Sequence, residues 1–380
     1  MPAFLQLILN FKKQVEKGVR NMNNTESKKI TIDGITYIIY DNSVSVCEVQ
    51  KKGIRYAIIP SEVEGKPVNE IMRCAFEGCN HLKAIILPNS ILWIREYAFK
   101  NCKDLMSITF PDSLLHLGDY AFLDCKRLKK VTFSNNIKTI GMGAFEFCES
   151  LVSIDIPDSV TSIYDKAFWG CTSLKIVKLP YYLTEIAEGT FTYCESLESI
   201  EIPDCVTNIG EDAFGSCKSL KKIKLPHCLL KVDKYVFYGC YALEDIELPD
   251  MLTTIGDSMF EYCKSLKKIT IPLSITHIGT KAFLKCFNLQ NVIFSSSSHS
   301  TTNTITIGSE AFTRCNALRS INIPDSIIHI GVNAFENCPN INHVQFSQAL
   351  VDRPDADAIF NQLFDAGLHT REILLRIPSM

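Results

Sequence analysis

A phenylalanine recurs every 23 residues along most of this chain, at Phe76, Phe99, Phe122, Phe145, Phe168, Phe191, Phe214, Phe237, Phe260 and Phe283. Phe312 follows after 29 residues and Phe335 after a further 23. A cysteine stands three residues after each of the twelve, at Cys79, Cys102, Cys125, Cys148, Cys171, Cys194, Cys217, Cys240, Cys263, Cys286, Cys315 and Cys338. A fixed period of this length is the mark of a repeat array, in which each unit packs on its neighbours. It replaces the two or three ordinary domains that 380 residues could otherwise form.

The unit reads roughly L-x-x-I-x-L-P-x-x-L-x-x-I-G-x-x-A-F-x-x-C-x-x. In "LKKIKLP", Ile223 and Leu225 alternate with Lys222 and Lys224, the period of a half-buried strand. The proline, usually followed by Asp or Asn, ends that strand and starts a turn. A second apolar pair, such as Val206 and Ile209, predicts a second extended stretch. Glycine follows it in seven of the twelve units and is read here as a bend with φ > 0. Phe and Cys then share one face of a short helical turn. A lone unit cannot cover its apolar face, whereas stacked units bury a continuous core. In that core Phe supplies bulk and Cys acts as a small apolar side chain, repeated at about the 4.8 Å spacing of strands.

This unit resembles the BspA-like (treponemal-type) leucine-rich repeat over residues 56–346, about 12–13 repeats, and "YAIIPSEVEGKPVNEI" is similar to that family's degenerate first repeat. The resemblance implies a repeat solenoid: a right-handed leucine-rich-repeat coil with a parallel β-sheet on its concave side. It also implies a non-enzymatic protein–protein interaction module, in surface recognition or adhesion, of the kind surface antigens provide. An intracellular scaffold or adaptor using the same surface is the alternative. One departure stands out, since Cys here precedes the strand, while the commoner leucine-rich pattern has Asn or Cys after it.

Flanking segments read differently. Residues 30–55, with "ITIDGITYIIY", predict a β-hairpin N-terminal cap. Residues 347–380 predict a helical C-terminal cap built from "DADAIFNQLFDAG" and "HTREILLRI". The long step to Phe312 places a polar insertion near 295–304. Residues 1–29 read as an amphipathic helix or a flexible leader, with Phe4, Leu7, Ile8, Phe11, Val15 and Val19 on one face and Lys12, Lys13, Lys17 and Arg20 elsewhere. Such a helix can lie on a membrane surface, and a translation start at Met22 would remove it. The leader lacks a basic start and a small-residue cleavage site, so a cytoplasmic setting is expected over a cell-surface one. A net charge of −3 gives no reason to expect nucleic acid.

Sixteen cysteines raise the question of disulfides and metals. The twelve periodic ones share a packing role that needs no oxidation, so they are read as reduced and buried. Cys205 and Cys228 occupy one post-proline turn position in adjacent units, where Ser or Asn is usual; a bridge or half of a metal site stays open there. No CxxC or HExxH cluster, nucleophile elbow, Walker-type loop or Rossmann fingerprint is present, so no enzyme, metal or cofactor is expected. His116, His277 and His329 recur at one position, read as a variable exposed slot.

Two surfaces are candidates for a protein partner. The last outward strand positions run Asp155, Lys178, Glu201, Lys224 and Glu247, alternating in sign, with Lys222, Asp245 and Lys268 beside them. They form either a self-neutralising ladder or a charge-patterned face that selects a partner. The second surface is aromatic: Phe147, Trp169, Tyr193, Tyr238 and Tyr262 follow the core Phe by one or two residues.

Overall fold

The computed structural model describes residues 27–50, 53–295 and 304–369. Residues 1–26 of the leader, nearly all of the polar insertion and the segment "HTREILLRI" beyond His369 lie outside the described residues, and the leader's last two residues, Lys28 and Lys29, open the first strand instead.

Alternating side chains in the first part of the unit produce a short strand, such as Lys222–Lys224, with its middle residue buried and its neighbours exposed; at Asp245–Glu247 the expected strand is reduced to a single bridge from Lys222 to Asp245. These strands pair in parallel two by two, most of them at an offset of 23, so that Ser199 lies beside Lys222, Ile200 beside Ile223 and Glu201 beside Lys224. A two-residue strand follows the proline turn, as at Asn208–Ile209 and Lys231–Val232, and keeps the same offset. These two series make two faces of a parallel β-solenoid. Across the longer step the second strands return to register, with His277 beside Thr306 and Ile278 beside Ile307.

The third part of each unit forms single hydrogen-bonded turns and no longer helix. In one coil, Gly215 N–H donates to the Asp212 carbonyl and Cys217 N–H to that of Phe214, both i→i−3. The residues two before and two after every core Phe take left-handed backbone angles, for example Asp212 (φ 57°) and Ser216 (φ 57°), Lys281 (φ 59°) and Lys285 (φ 61°). That rotation has a purpose. It aims the amides of Asp212, Phe214 and Ser216 at the next coil, where they donate to the carbonyls of Lys234, Val236 and Tyr238. The segment therefore pairs between coils where a helix would have paired within itself.

The repeat glycines correct the sequence reading. None of Gly118, Gly141, Gly210, Gly256, Gly279, Gly308 and Gly331 has a positive φ. A Cβ on any of the seven would stand 2.4–2.9 Å from an atom of the neighbouring coil. Glycine is used here for close approach of two backbones. At Gly141, for example, the amide donates to the Leu117 carbonyl at 2.9 Å.

Inside, the twelve repeat phenylalanines are fully buried. Consecutive rings lie 4.9–5.8 Å apart and within 15° of parallel, a single column running from Phe76 to Phe335. The periodic cysteines are buried beside it except Cys338, which is half-buried. Their thiols do more than fill space. From Cys102 to Cys338 each donates to the carbonyl of the Phe one coil earlier, at 3.1–3.4 Å. That carbonyl already accepts an amide three residues on, so the sulfur takes its second lone pair.

At the start, β1 (Lys28–Ile32) and β2 (Ile35–Ile39) form an antiparallel hairpin through Asp33 and Gly34, both at positive φ. β3 (Val44–Val49) runs antiparallel to β2 and parallel to Lys66–Ile71, which carries the sheet into the second-strand series. At the other end, α1 (Gln348–Val351) is capped by Ser347, whose hydroxyl accepts the Leu350 amide, and α2 (Ala356–Asp365) packs over the last coil. The Ala366 carbonyl accepts the Phe335 amide at 2.7 Å, the bond a further coil would have made.

Candidate protein-binding faces

The charge strip is a consequence of strand register. Because alternate residues point outward and neighbours repeat every 23, Asp155 and Lys178 are register partners, as are Glu201 and Lys224. Lys178 Nζ lies 3.0 Å from Asp155, and Lys268 Nζ 3.9 Å from Asp245. The centre is different. Among the described residues Glu201, Lys222, Lys224 and Glu247 are exposed and make no ion pair within 4.0 Å. A parallel row just before the strands pairs more fully, with Lys221–Glu198 at 3.9 Å and Lys267–Glu244 at 2.9 Å, and the latter lysine holds the Glu244 carboxyl below its ordinary range. The strip is thus neutralised at its flanks and open in its middle.

The aromatic residues separate into two groups with Ser216 between them. Trp169 stacks on Tyr193 at 6.2 Å, and Phe147 lies under Gly170, where a Cβ would strike its ring at 2.5 Å. Tyr238 meets Tyr262 edge to face at 5.7 Å. Phe147 and Tyr193 are exposed, whereas Trp169, Tyr238 and Tyr262 are half-buried. Two rings already hold a cation of this chain: Lys166 lies 5.2 Å from the Trp169 ring, and Lys285 lies 4.3 Å from that of Tyr262 and bonds its hydroxyl. This edge is partly satisfied by its own neighbours.

Sequence reasoning passed over a third group. Tyr181 and Tyr182 form an edge-to-face pair at 5.0 Å and are 61% and 64% exposed. They occupy the post-proline turn where other coils carry Asp or Asn and then Ser. Where present, that Ser reaches back one coil, as Ser90 does to the Val68 carbonyl at 2.7 Å and Ser274 to Leu252 at 2.7 Å. The broken "PDS" pattern at "PYYL" was the available signal.

All sixteen cysteines are free thiols. Burial raises the sealed thiols of Cys217 and Cys240 far above the usual cysteine range. Cys205 is exposed and Cys228 half-buried. Among the histidines, His277 and His329 are exposed, but His116 is half-buried, its Nδ1 2.9 Å from Thr139 Oγ1. Burial, and then the charge of Arg95, push its pKa down. Among the described residues no group of three or more His, Cys, Asp and Glu side chains is placed to hold a metal ion. No helix among them is long and apolar enough to cross a membrane.

Two strand series, a Phe column and an inter-coil cysteine ladder define a leucine-rich-repeat solenoid. The sequence matches the BspA type leucine rich repeat region, in six copies, over residues 49–175, 184–304 and 298–356, and the chain belongs to that family. Among solved structures it is similar to a leucine-rich repeat protein from Bacteroides ovatus at 29% identity and a TM-score of 0.64, covering 86% of this chain and 98% of that one. It also shares its fold with the pneumococcal vaccine antigen PcpA, at 20% identity and a TM-score of 0.51, covering 84% and 88% of the two chains. No curated protein sequence matches it. Repeat proteins of this family are generally non-enzymatic and are commonly used for protein interaction.

Proposed function

We propose that this chain is a protein-recognition module that reads its partner with the first-strand face, centred on Glu201, Lys222, Lys224 and Glu247. The carrying observation is the unneutralised centre of a strip whose flanks are paired. Exposed ion pairs contribute only about 0.2–1 kcal/mol each, so folding gains little from closing the strip and little is lost by leaving it open. Paired strands hold Glu201, Lys222 and Lys224 in fixed order, and a single bridge from Lys222 to Asp245 ties on the segment that carries Glu247; this order lowers the ordering cost of binding, and alternating sign discriminates among partners. Recognition or adhesion at a cell surface is the finer form of this reading. A scaffold inside the cell would use the same face.

The test is capture of a partner from source cells and from their surroundings by three proteins: wild type, Lys222→Glu with Lys224→Glu, and Glu201→Lys with Glu247→Lys. A partner captured by wild type and lost by both reversals, with affinity falling as salt rises, supports the reading, and its compartment separates adhesin from scaffold. Equal capture by all three would remove the strip from consideration and move attention to Tyr181 and Tyr182.

A further inference from the structure

The turn edge of the solenoid holds a pair of cysteines unlike the other fourteen. The first strands on one side of the turn pair Glu201 with Lys224, and the second strands on the other side pair Asn208 with Lys231. Both offsets are 23, so the turn between them is in register and Cys205 lies beside Cys228. Neighbouring strand positions are about 4.8 Å apart, inside the 4.4–6.8 Å Cα separation that a disulfide spans. Cys228 also points toward its neighbour: its thiol reaches the Asp204 carbonyl and lies 3.5 Å from that of Val206, the residues on either side of Cys205. Cys205 itself is exposed.

The ladder cysteines share the 23-residue spacing but not the chemistry. All but half-buried Cys338 are sealed from reagents, and from Cys102 onward each thiol is committed to a phenylalanine carbonyl. Half-buried Cys47 and Cys74 have no cysteine one coil away in register.

We propose that Cys205 and Cys228 are an oxidisable dithiol, closed to an inter-coil disulfide by a low-molecular-weight disulfide such as oxidised glutathione. The Cys205 thiolate attacks one sulfur of the reagent, the S–S bond breaks, and one reduced thiol leaves with a proton. Cys228, as thiolate, then attacks the Cys205 sulfur of the mixed disulfide and expels the second reduced thiol. The protein loses two protons and two electrons, and the reagent gains them. Closure fastens two coils at the rim next to Tyr181 and Tyr182.

The experiment exposes the native full chain to oxidised glutathione, traps remaining thiols at low pH, and maps the products by mass spectrometry. Wild type is expected to lose two thiols to one Cys205–Cys228 cross-linked peptide pair and to retain no glutathione. Cys228→Ser should lose one thiol and carry a persistent glutathione adduct on Cys205. Serine occupies this turn position at Ser90, Ser113 and Ser274, so the variant keeps the fold, and circular dichroism checks that it does. A stable adduct on Cys205 in wild type, no reaction at either residue, or prior cross-linking within the buried ladder would each overturn the proposal.

Discussion

Replacing Gly141 by alanine tests the packing argument directly, because it reverses an ordinary expectation. Glycine to alanine normally stabilises by about 0.4–1 kcal/mol, by restricting the unfolded chain. Here the new Cβ would lie 2.6 Å from the Gly118 carbonyl carbon and 2.7 Å from both Asp119 N and its Oδ1. Relaxed carbon contacts need about 3.5 Å or more, so adjacent coils must part by roughly 0.9 Å at that point. Overpacking of this kind costs about 1–3 kcal/mol, and the stretched bond from Gly141 N to Leu117 O, 2.9 Å in the native coil, adds about 0.5–1.5 kcal/mol. The net expectation is a destabilisation of about 2 kcal/mol. The converse variant is Arg314→Gly, at an exposed residue with φ 63°. It relieves a left-handed penalty of about 1–2 kcal/mol against a glycine entropy cost of about 0.5–1 kcal/mol, and should be neutral or stabilising by up to about 1.5 kcal/mol. Urea unfolding of both variants, with amide exchange at the adjoining coils to detect local opening, measures the difference. If Gly141→Ala matches wild type while Arg314→Gly is the damaging change, glycine serves a bend after all and the close-approach account fails.

Phe214→Ala removes a fully buried ring stacked 5.6 and 5.8 Å from its neighbours and should cost about 3–5 kcal/mol in urea unfolding. Lys224→Ala, on the outward face, should cost under about 1 kcal/mol, and equal losses would refute the assignment of faces. Asp212 is held above the ordinary carboxylate range, at about 6, chiefly by burial. The folded chain therefore binds its proton more tightly than the unfolded chain, and stability falls as pH rises from about 4 to about 6. Since the carboxyl is partly solvated, the penalty is discounted to about 1 kcal/mol. Asp212→Asn should recover that amount at neutral pH and nothing below pH 4; an equal gain at both pH values would contradict it.

How far the sequence could be read depended on what each residue type encodes. Phe214 and Cys217 are legible because volume and period together specify a buried column. The Cys217 hydrogen bond to Phe191 O is not, since packing and donation look alike in a string of letters. Gly141 shows that a side chain is absent without showing what it would have struck. Lys281 and Arg314 adopt left-handed angles that neither residue favours; cross-coil bonds from their amides impose them, and those bonds exist only once the array has stacked. On the strip, charge order follows from alternation, but closure does not. Asp155–Lys178 and Glu201–Lys224 have equivalent register, yet only the first pair comes within ion-pair distance.

The constant offset has a consequence for how such a chain changes length. From Phe76 to Phe283 corresponding inter-coil bonds join residues separated by one shared increment, and the last coil meets Ala366 with the same carbonyl geometry that any coil would offer. Excising or duplicating 23 residues within that run leaves every amide with an acceptor and every Phe with a neighbour. The breadth of the face is set by strand length, and its extent by copy number. A lineage can therefore lengthen or shorten its recognition surface in whole notches, while a gain or loss of one residue within a strand would turn its outward row into the core.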